Sequence, residues 1–439
     1  MYRNFSAFQI ILFGFAMIIL IGTLLLMTPA ASSQAAPCPP ADALFTATSA
    51  VCVTGLVVRD TWQAWSGFGQ AVILLLIQTG GMGVMLMICA AALITGRKIG
   101  LRERGTVQDS ISAPHAGGVI RLARFILVLL FASEAVGAAT LFPVFARDFG
   151  ILRGLWFSVF HSISAMCNAG FDLLGCRGAY SSLASYAANP WVNLVIGGLI
   201  IWGGLGFLTW DDIFHRGGRL SRFRLQSRLI LSMTLVLITI PLILFFLLEF
   251  REGPVNERLL HSFFSSVTPR TAGFATVDMN VFSEAGKMLI ILLMLIGGAP
   301  GSTAGGMKVT TFGVIFLSVR SVLLREKDTN FHNRRIEESV IRNAVCICMM
   351  YLSLFLMAGC IISRIEGLPL LTCLFESASA VGTVGLTLGI TPSLSIASKL
   401  ILILLMFLGR VGGLTMVYAV IPQIRHGNAR RITERVTVG

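Results

Sequence analysis

The sequence predicts an all-α membrane protein with four helix–pore loop–helix repeats around a pseudo-fourfold central pore. Hydrophobic residues make up 55% of its 439 residues and charged residues 13%, which is too few charges to cover a water-soluble surface. Long apolar runs alternate with short basic clusters, a pattern typical of membrane spans joined by cytoplasmic loops. A short motif ending in glycine occurs four times, about every 110 residues, each time between two long apolar runs.

This motif is clearest at residues 374–386, where an apolar helix candidate leads directly into Thr-Val-Gly. The other copies are Phe45–Leu56, Phe160–Phe171 and Phe263–Phe274. Every copy has phenylalanine ten residues before its glycine, and three have serine six residues before it, where the third copy has Val267. Helix packing through small residues would explain glycine and serine. It would not explain why each copy is too short to span and lies between two spans.

The repeats are predicted at residues 1–110, 111–220, 221–335 and 336–439. Their long helices are predicted at Phe5–Met27 and Phe68–Ile94, Ile120–Phe145 and Trp191–Trp210, Leu229–Leu248 and a span from near Lys287, and Ile341–Ile362 and Leu400–Ile421. The N-terminal run resembles a signal peptide, with Ala30-Ala31 as a cleavage site. Its length and its direct continuation into the first motif copy favour a retained membrane helix.

Basic clusters follow the second long helix of every repeat. The positive-inside rule then predicts eight full crossings, with both termini cytoplasmic and all four pore copies at the outer face. The net charge of +13 could also suggest nucleic acid. Because the charge lies in short clusters between apolar runs, we predict no nucleic-acid partner.

Backbone that enters the membrane and returns in extended form is tolerated only where protein surrounds it or where it lines an aqueous path. Four such loops around one axis can turn carbonyl oxygens inward and replace the hydration shell of a cation. Glycine at the turn allows backbone angles that are costly for other residues. The predicted ion-binding residues are Val53, Thr54, Gly55, Asn168, Ala169, Gly170, Thr271, Ala272, Gly273, Thr383, Val384 and Gly385.

The second helix of the third repeat is interrupted at residues 297–306, which include five glycines and a proline. An interrupted span predicts irregular backbone that lines a cavity. Lys308 follows this stretch. Its side chain either has a structural role, in which it anchors the loop or reaches the membrane interface, or it acts on the pathway itself. Glycine pairs in all four second helices predict close helix packing. These pairs are Gly80-Gly81, Gly203-Gly204, Gly297-Gly298 and Gly412-Gly413.

Two charged residues, Glu134 and Arg410, lie far from the ends of predicted spans. Arg410 lies ten residues into its helix, where a charge normally faces protein or water; the alternative is an arginine that reaches the cytoplasmic interface. Glu134 could bind a cation or relay protons, although its place on an outer helix favours a structural hydrogen bond. The nine cysteines lack metal-ligand spacing. Cys38 and Cys176 could pair outside the membrane, but free thiols are favoured.

The four motif copies resemble the superfamily of Trk, Ktr and HKT potassium transporters. The residues that carry this resemblance are Thr48-Ser49-Ala50 with Thr54-Gly55-Leu56, His161-Ser162-Ile163-Ser164 with Asn168-Ala169-Gly170-Phe171, Pro269-Arg270-Thr271-Ala272-Gly273-Phe274, and Thr383-Val384-Gly385-Leu386. It covers nearly the whole chain, and the third copy is similar to that of KtrB-type subunits. Three copies lack Thr-Val-Gly, so the filter is expected to be less regular, and less selective, than in tetrameric channels.

The resemblance implies potassium uptake through a selectivity filter with K⁺ as its only metal, and a gating loop below it. The implied gate residues are Gly297, Gly298, Ala299, Pro300, Gly301, Ser302, Thr303, Ala304, Gly305, Gly306, Lys308 and Arg410. It also implies a homodimer of pore subunits in the bacterial inner membrane, sodium stimulation, and a cytosolic KtrA-type ring that binds ATP or ADP. The sequence has no phosphate-binding G-x-x-x-x-G-K-[ST] loop, so we expect no cofactor in this chain.

The alternative functions are an intramembrane enzyme and a related transporter with a different ion preference. An intramembrane enzyme would need a nucleophile with a base at depth. His161 and Ser162 are adjacent and cannot form such a relay on a helix, so the sequence predicts no enzyme. A TrkH-like member of the superfamily, or one that conducts both sodium and potassium, is the alternative within the same fold.

Overall fold

The computed structural model describes residues 7–83, 86, 87, 89, 90, 92, 105, 118–217 and 219–412. Its helices in the first two predicted repeats are α1 (Ala7–Leu26), α2 (Pro40–Val51), α3 (Thr61–Ala64), α4 (Gly67–Met82), α5 (Val119–Phe149), α6 (Ile151–Met166), α7 (Pro190–Gly204) and α8 (Phe207–His215). Those that follow are α9 (Leu225–Leu244), α10 (Val255–Val267), α11 (Glu284–Leu295), α12 (Val309–Leu323), α13 (Glu338–Glu366), α14 (Leu370–Gly382) and α15 (Ile396–Val411). A π-helical turn, Phe245–Glu249, extends α9, and β1 (Asn330–Phe331) pairs antiparallel with β2 (Arg334–Arg335).

Four described helices are long and apolar enough to cross a membrane: α1, α5, α13, and α9 with its π-helical turn. Only 22 to 39% of the residues in their apolar windows are buried. Phe13 and Met17 of α1, for example, are more than half exposed. Apolar faces of this size are stable against lipid and not against water, and they confirm the predicted class of membrane protein.

Short helices precede the glycine in all four motif copies. These helices, α2, α6, α10 and α14, have 12 to 16 residues, fewer than the about 20 that a crossing requires. Proline stands just before the first residue of three of them, at Pro39, Pro254 and Pro369; proline is compatible with a helix start because the first amides have no partner within the helix. Their last turns are almost completely buried, so the four short helices form the centre of the protein.

Contacts between the predicted repeats form a closed circle. The helix after each glycine contacts the short helix of the next repeat: α4 contacts α6, α7 contacts α10, α11 contacts α14, and α15 contacts α2. Each repeat therefore touches the next in chain order, and the fourth touches the first.

Glycine lies at the close contacts between these elements. A Cβ on Gly80 would collide with the carbonyl oxygen of Val51, and one on Gly203 with that of Met166. In the fourth repeat the glycine in this position is Gly409, which faces the carbonyl of Val381. Gly412 of the predicted pair follows the last residue of the helix, and Gly413 lies outside the described residues.

The second helices were predicted to be continuous except in the third repeat, and this prediction was wrong. Gly83, Gly206 and Gly412 adopt φ values of 80°, 86° and 90°, which an α-helix cannot contain. The first of these residues ends α4, the second separates α7 from α8 at an angle of 98°, and the third ends α15. The signal was a glycine three residues after the one at the close contact: Gly83 after Gly80, Gly206 after Gly203, and Gly412 after Gly409.

Several sequence predictions concern residues outside those described. They include the basic clusters Arg97, Lys98, Arg102, Arg104 and Arg425, Arg430, Arg431, Arg435, and the predicted end of the last helix at Ile421. Cys38 is buried, Cys176 is exposed, and both are free thiols, as the favoured interpretation predicted.

Candidate functional site

The glycines of the four motif copies are neighbours in space. A Cβ built on Gly55 would lie 3.2 Å from the Cα of Gly170, and one on Gly170 would lie 2.9 Å from the Cα of Gly273. The corresponding distances are 3.3 Å from Gly273 to Gly385 and 2.9 Å from Gly385 back to Gly55. The four glycines thus form a closed ring in chain order. Any side chain at these positions would collide with the backbone of the next copy.

The backbone of these glycine loops, residues 53–55, 168–170, 271–273 and 383–385, follows one pattern. The glycines have φ values between 70° and 95°. The residue two positions earlier is also left-handed in every loop: Val53, Asn168, Thr271 and Thr383 have φ values of 55°, 57°, 67° and 51°. A left-handed conformation at residues other than glycine costs on the order of 1–3 kcal/mol each and is concentrated at functional sites. From the sequence, this conformation was expected only at glycine.

Hydroxyl groups of the short helices hold each loop. Ser49 and Ser379 accept hydrogen bonds from the amides of Gly55 and Gly385 at 3.1 and 3.0 Å. Ser164 instead donates to the carbonyl of Phe171 at 2.7 Å. In the third copy, where serine is replaced by valine, the next residue takes this role, because Thr268 donates to the carbonyl of Phe274 at 2.5 Å.

A cavity of about 620 Å³ opens on one side of the ring and is lined by all four glycines. Asp172 and Asp278 contribute acidic side chains to its wall. Asp172 belongs to the connection that follows the second glycine loop. The pKa of this carboxyl is raised to about 7, mainly by burial and with a contribution from the charge of Asp60, against the lowering effect of the hydrogen bond from the Leu174 amide. Acidic groups at such a mouth raise the local concentration of cations.

On the opposite side of the ring, loop 297–306 lies directly against the glycine loops. A Cβ on Gly305 would collide with the side chain of Thr383, and one on Gly306 would lie 2.8 Å from the carbonyl oxygen of Gly382. Ile296 and Met307 pair as a parallel bridge that closes the loop at its base. The predicted gate segment and the predicted ion-binding residues are therefore in direct contact.

Backbone hydrogen bonds connect loop 297–306 to the breaks in the neighbouring helices. The Ala299 amide donates to the carbonyl of Gly204 at 2.9 Å, next to the bend between α7 and α8. The Phe207 amide, at the start of α8, donates to Gly301 at 2.6 Å. In the fourth repeat the carbonyl of Gly409 accepts from the Gly306 amide at 3.1 Å. The irregular segments thus satisfy one another's polar groups, as they must within a membrane.

Arg410 and Lys308 attach to the same loop. The Arg410 guanidinium donates to the carbonyl of Thr303 and to the carbonyls of Gly80 and Gly81 at the end of α4. The Lys308 ammonium donates to the Ala304 carbonyl at 2.7 Å. Arg410 is the second-last residue of α15, not ten residues inside a continuous span as predicted, and its side chain contacts protein. Lys308 has the geometry of a loop anchor.

A second cavity, of about 300 Å³, lies beside the loop. Its wall includes Pro300, Ser302 and Gly306 of the loop, together with Lys308 and Arg410. The hydroxyls of Thr54, Thr303 and Thr383 have no hydrogen-bond partner among the described residues. Such hydroxyls near the ring and the loop are compatible with water or ions along this path.

Glu134 lies behind the second copy. Its carboxylate accepts hydrogen bonds from the Gln78 amide at 2.9 and 3.2 Å, and its backbone carbonyl accepts from the Ser162 hydroxyl at 2.6 Å. These contacts fit the favoured structural role. Arg270, to which the sequence assigned no role beyond its place in the third motif copy, is buried behind the third loop and donates to the Thr234 hydroxyl at 3.3 Å.

His161 and Ser162 do not form a pair of nucleophile and base. Ser162 donates to the backbone carbonyl of Glu134. In the part of the chain that the structure describes, the imidazole of His161 forms hydrogen bonds with the backbone of Phe157 and Leu173 and otherwise packs against aromatic rings. Among the described residues, no group of three or more His, Cys, Asp or Glu side chains is placed to bind a metal ion.

Residues 3–428 match the sequence model of the TrkH family, described as cation transport protein. The chain therefore belongs to the TrkH family of cation transport proteins, which is not a family of enzymes.

Its relatives are named as transporters. Ktr system potassium uptake protein B of Bacillus subtilis is 40% identical, with 95% of this chain and 93% of that protein covered. Potassium/sodium uptake protein NtpJ of Enterococcus hirae is 38% identical, with 97% and 95% covered. The crystal structure of the potassium transporter TrkH from Vibrio parahaemolyticus matches with a TM-score of 0.74 at 18% identity, over 96% of this chain and 86% of that one. At 18% identity, the match to the TrkH structure shows similarity of fold alone. The match to Ktr system potassium uptake protein B confirms the sequence resemblance to KtrB-type subunits.

Proposed function

We propose that this protein takes up potassium through a channel-like pore whose selectivity filter is built by the four glycine loops. The closed ring of four left-handed glycines carries the proposal, because it gathers main-chain oxygens from all four predicted repeats at one place. Carbonyl rings of this kind replace the hydration shell of K⁺. The pseudo-fourfold arrangement is supported by the contacts that link each repeat to the next and the fourth to the first.

The driving force is the membrane potential. A potential of 100 mV favours inward movement of one charge by about 2.3 kcal/mol. The proposed orientation places the acidic cavity outside and both termini in the cytoplasm of a bacterial inner membrane, as expected from the basic clusters.

Loop 297–306 is the proposed gate. It lies against the inner side of the ring, and Arg410 and Lys308 hold it there through its carbonyls. The positive charges also raise the barrier to a cation that leaves the filter. A KtrA-type cytosolic ring that binds ATP or ADP would move the loop; the relatives named as Ktr system proteins support such a multi-component system. In this proposal two pore subunits form a homodimer, and sodium stimulates uptake.

Growth rescue tests the proposed function. The chain is expressed in a host that lacks potassium uptake, with and without a KtrA-type partner, at limiting K⁺ and with or without Na⁺. We expect K⁺-dependent rescue, and its absence in Gly385→Ala, where the added Cβ would collide with the Thr54 carbonyl. Gly178→Ala, where the added carbon would lie in ordinary contact with Ser181 at 3.5 Å, should rescue fully. Equal growth of the Gly385→Ala variant and the unchanged chain, at equal expression, would contradict the filter.

A second candidate is a pathway for both sodium and potassium. It is favoured by the relative named potassium/sodium uptake protein and by the three glycine loops that lack Thr-Val-Gly. Uptake of ²²Na⁺ by proteoliposomes in the absence of K⁺ distinguishes the two. Sodium flux comparable to potassium flux would favour the second candidate.

A further inference from the structure

Two polar side chains occupy the same position behind the proposed filter. His161 in the second copy and Glu376 in the fourth each lie nine residues before the glycine of their copy. Both are completely buried. Neither lines the ring of glycines or the gate loop, so the proposed function assigns them no part.

His161 binds the chain where it leaves the second glycine loop. Its Nε2 atom lies 3.4 Å from the amide of Leu173, three residues after Gly170. Since that amide can only donate, Nε2 is the acceptor. The proton is then on Nδ1, which donates to the carbonyl of Phe157 at 2.7 Å. The neutral imidazole thus connects the short helix α6 to the outgoing segment.

Glu376 makes the equivalent contact in the fourth copy. Its Oε1 atom accepts from the amide of Leu388 at 3.3 Å, again three residues after the glycine, and from the hydroxyl of Thr387. Its Oε2 atom accepts from the hydroxyl of Thr391 at 3.0 Å. One carboxylate therefore holds three successive points of the segment that leaves the fourth glycine loop.

The other two copies have no such contact. Their residues at this position are Thr46 and Phe264; the Thr46 hydroxyl has no hydrogen-bond partner among the described residues, and phenylalanine offers none.

Their outgoing segments are held from outside by one connection of the second repeat. Tyr180 donates to the carbonyl of Val58 in the first copy at 3.3 Å. Ser182 accepts from the amide of Ala275 in the third copy at 3.0 Å, and the Leu183 amide donates to the Ala275 carbonyl at 2.9 Å.

We infer that His161 and Glu376 are positioning residues that set the ion preference of the filter. The ring runs from the first copy through the second and third to the fourth, so these two side chains act on copies that face each other across the axis. Each glycine loop is fixed at one end by its short helix and at the other by the outgoing segment. Releasing the second end allows the carbonyl oxygens to move, and the spacing of these oxygens governs the preference among cations.

The inference rests on the proposed function, and transport assays separate the two. Purified unchanged protein and the variants Glu376→Met and His161→Phe, which have similar side-chain shapes and lack the acceptor atoms, are reconstituted in proteoliposomes. Three quantities are measured for each variant: the ratio of K⁺ to Na⁺ uptake, the maximal K⁺ flux, and the amount of monodisperse protein. We expect the ratio to fall about tenfold in each variant, which corresponds to about 1.4 kcal/mol. Thr46→Val, the matched change in the first copy, should leave the ratio unchanged.

Conservative variants separate positioning from general damage. Glu376→Gln keeps one carbonyl oxygen as acceptor and should restore most of the ratio that Glu376→Met loses. Thr391→Val removes one hydrogen-bond donor to Glu376 at nearly constant shape and should lower the ratio about threefold. This variant replaces Glu376→Met in the test if Glu376→Met yields no folded protein. An unchanged ratio in Thr391→Val and His161→Phe, or an equal fall in Thr46→Val, would overturn the inference. Absence of K⁺ uptake by the unchanged protein would instead contradict the proposed function.

Discussion

Arg410, near the end of α15, connects its own helix to two other segments. Its guanidinium group donates to carbonyls of loop 297–306 and of the end of α4. We predict that Arg410→Gln increases K⁺ flux in the absence of any partner by about tenfold, because hydrogen bonds to charged groups contribute about 1.5–3 kcal/mol each. Flux of ⁸⁶Rb⁺ into proteoliposomes measures this change.

Exposed Arg364, near the end of α13, provides the matched control for this charge. Arg364→Gln should leave the flux unchanged. If Arg410→Gln transports at the same rate as the unchanged protein at equal reconstitution, the arginine does not hold the gate.

Asp172 leads us to expect that uptake depends on external pH. Its pKa is raised to about 7 by burial, so the carboxyl is neutral below pH 7 and negative above it. The charge present at higher pH attracts cations to the outer cavity. We predict an apparent KM for K⁺ about threefold lower at pH 8 than at pH 6, since a unit charge near a surface contributes on the order of 1 kcal/mol.

Asp172→Asn should remove this pH dependence and keep the high KM at both values. Asp328→Asn, a change in the connection before β1, should retain it. A pH dependence that persists in Asp172→Asn would assign the effect to another group.

At the scale of elements, the break between α7 and α8 allows loop 297–306 to reach the backbone of the second repeat. Gly206 at this break has a φ of 86°, and a Cβ there would lie 2.9 Å from the Pro300 carbonyl oxygen. We predict that Gly206→Ala lowers the free energy of unfolding by about 1–3 kcal/mol, the cost of a left-handed residue other than glycine. Thermal unfolding in detergent measures the loss as a lower Tm.

Gly198→Ala is the control within the same helix. Gly198 is exposed and has open space around an added Cβ, so alanine should leave the Tm unchanged or raise it slightly through its higher helix propensity. Equal shifts in the two variants would exclude backbone strain at the bend as the cause.

At the scale of the whole molecule, the ring of glycines is complete within one chain. In the proposed homodimer each subunit would therefore conduct by itself. We predict that mixed dimers of one unchanged and one Gly385→Ala subunit keep about half of the flux, because the dimer axis does not pass through a shared pore. Tandem affinity purification with two tags, followed by flux measurement, provides the test. A flux close to zero in mixed dimers would indicate a shared pathway.

Much of the architecture could be predicted from the sequence because it follows from local chemistry. The length and hydropathy of α1, α5, α9 and α13 require a bilayer. The motif copies were recognisable because each needs a short helix, a hydroxyl and a glycine at fixed spacing. Thr268 could not be recognised as the substitute for the missing serine, since its hydroxyl reaches the outgoing carbonyl only in the folded third copy.

Other features depend on contacts between segments far apart in sequence. The left-handed conformation of Val53 and Thr271 is imposed by the ring that surrounds them, because neither residue favours it locally. The contacts of Arg410 join residues more than 100 positions apart.

The sequence by itself determined the membrane class, the four motif copies and the family, since hydropathy and spacing are written in consecutive residues. Only the tertiary structure decided that Gly83 and Gly206 interrupt their helices and that a helix ends before Gly412. It also decided that Arg410 binds the loop and that His161 and Glu376 stand at equivalent places behind opposite copies. The reason is physical: a glycine or a buried polar group acquires its conformation and its partner from segments that the chain brings together only when it folds.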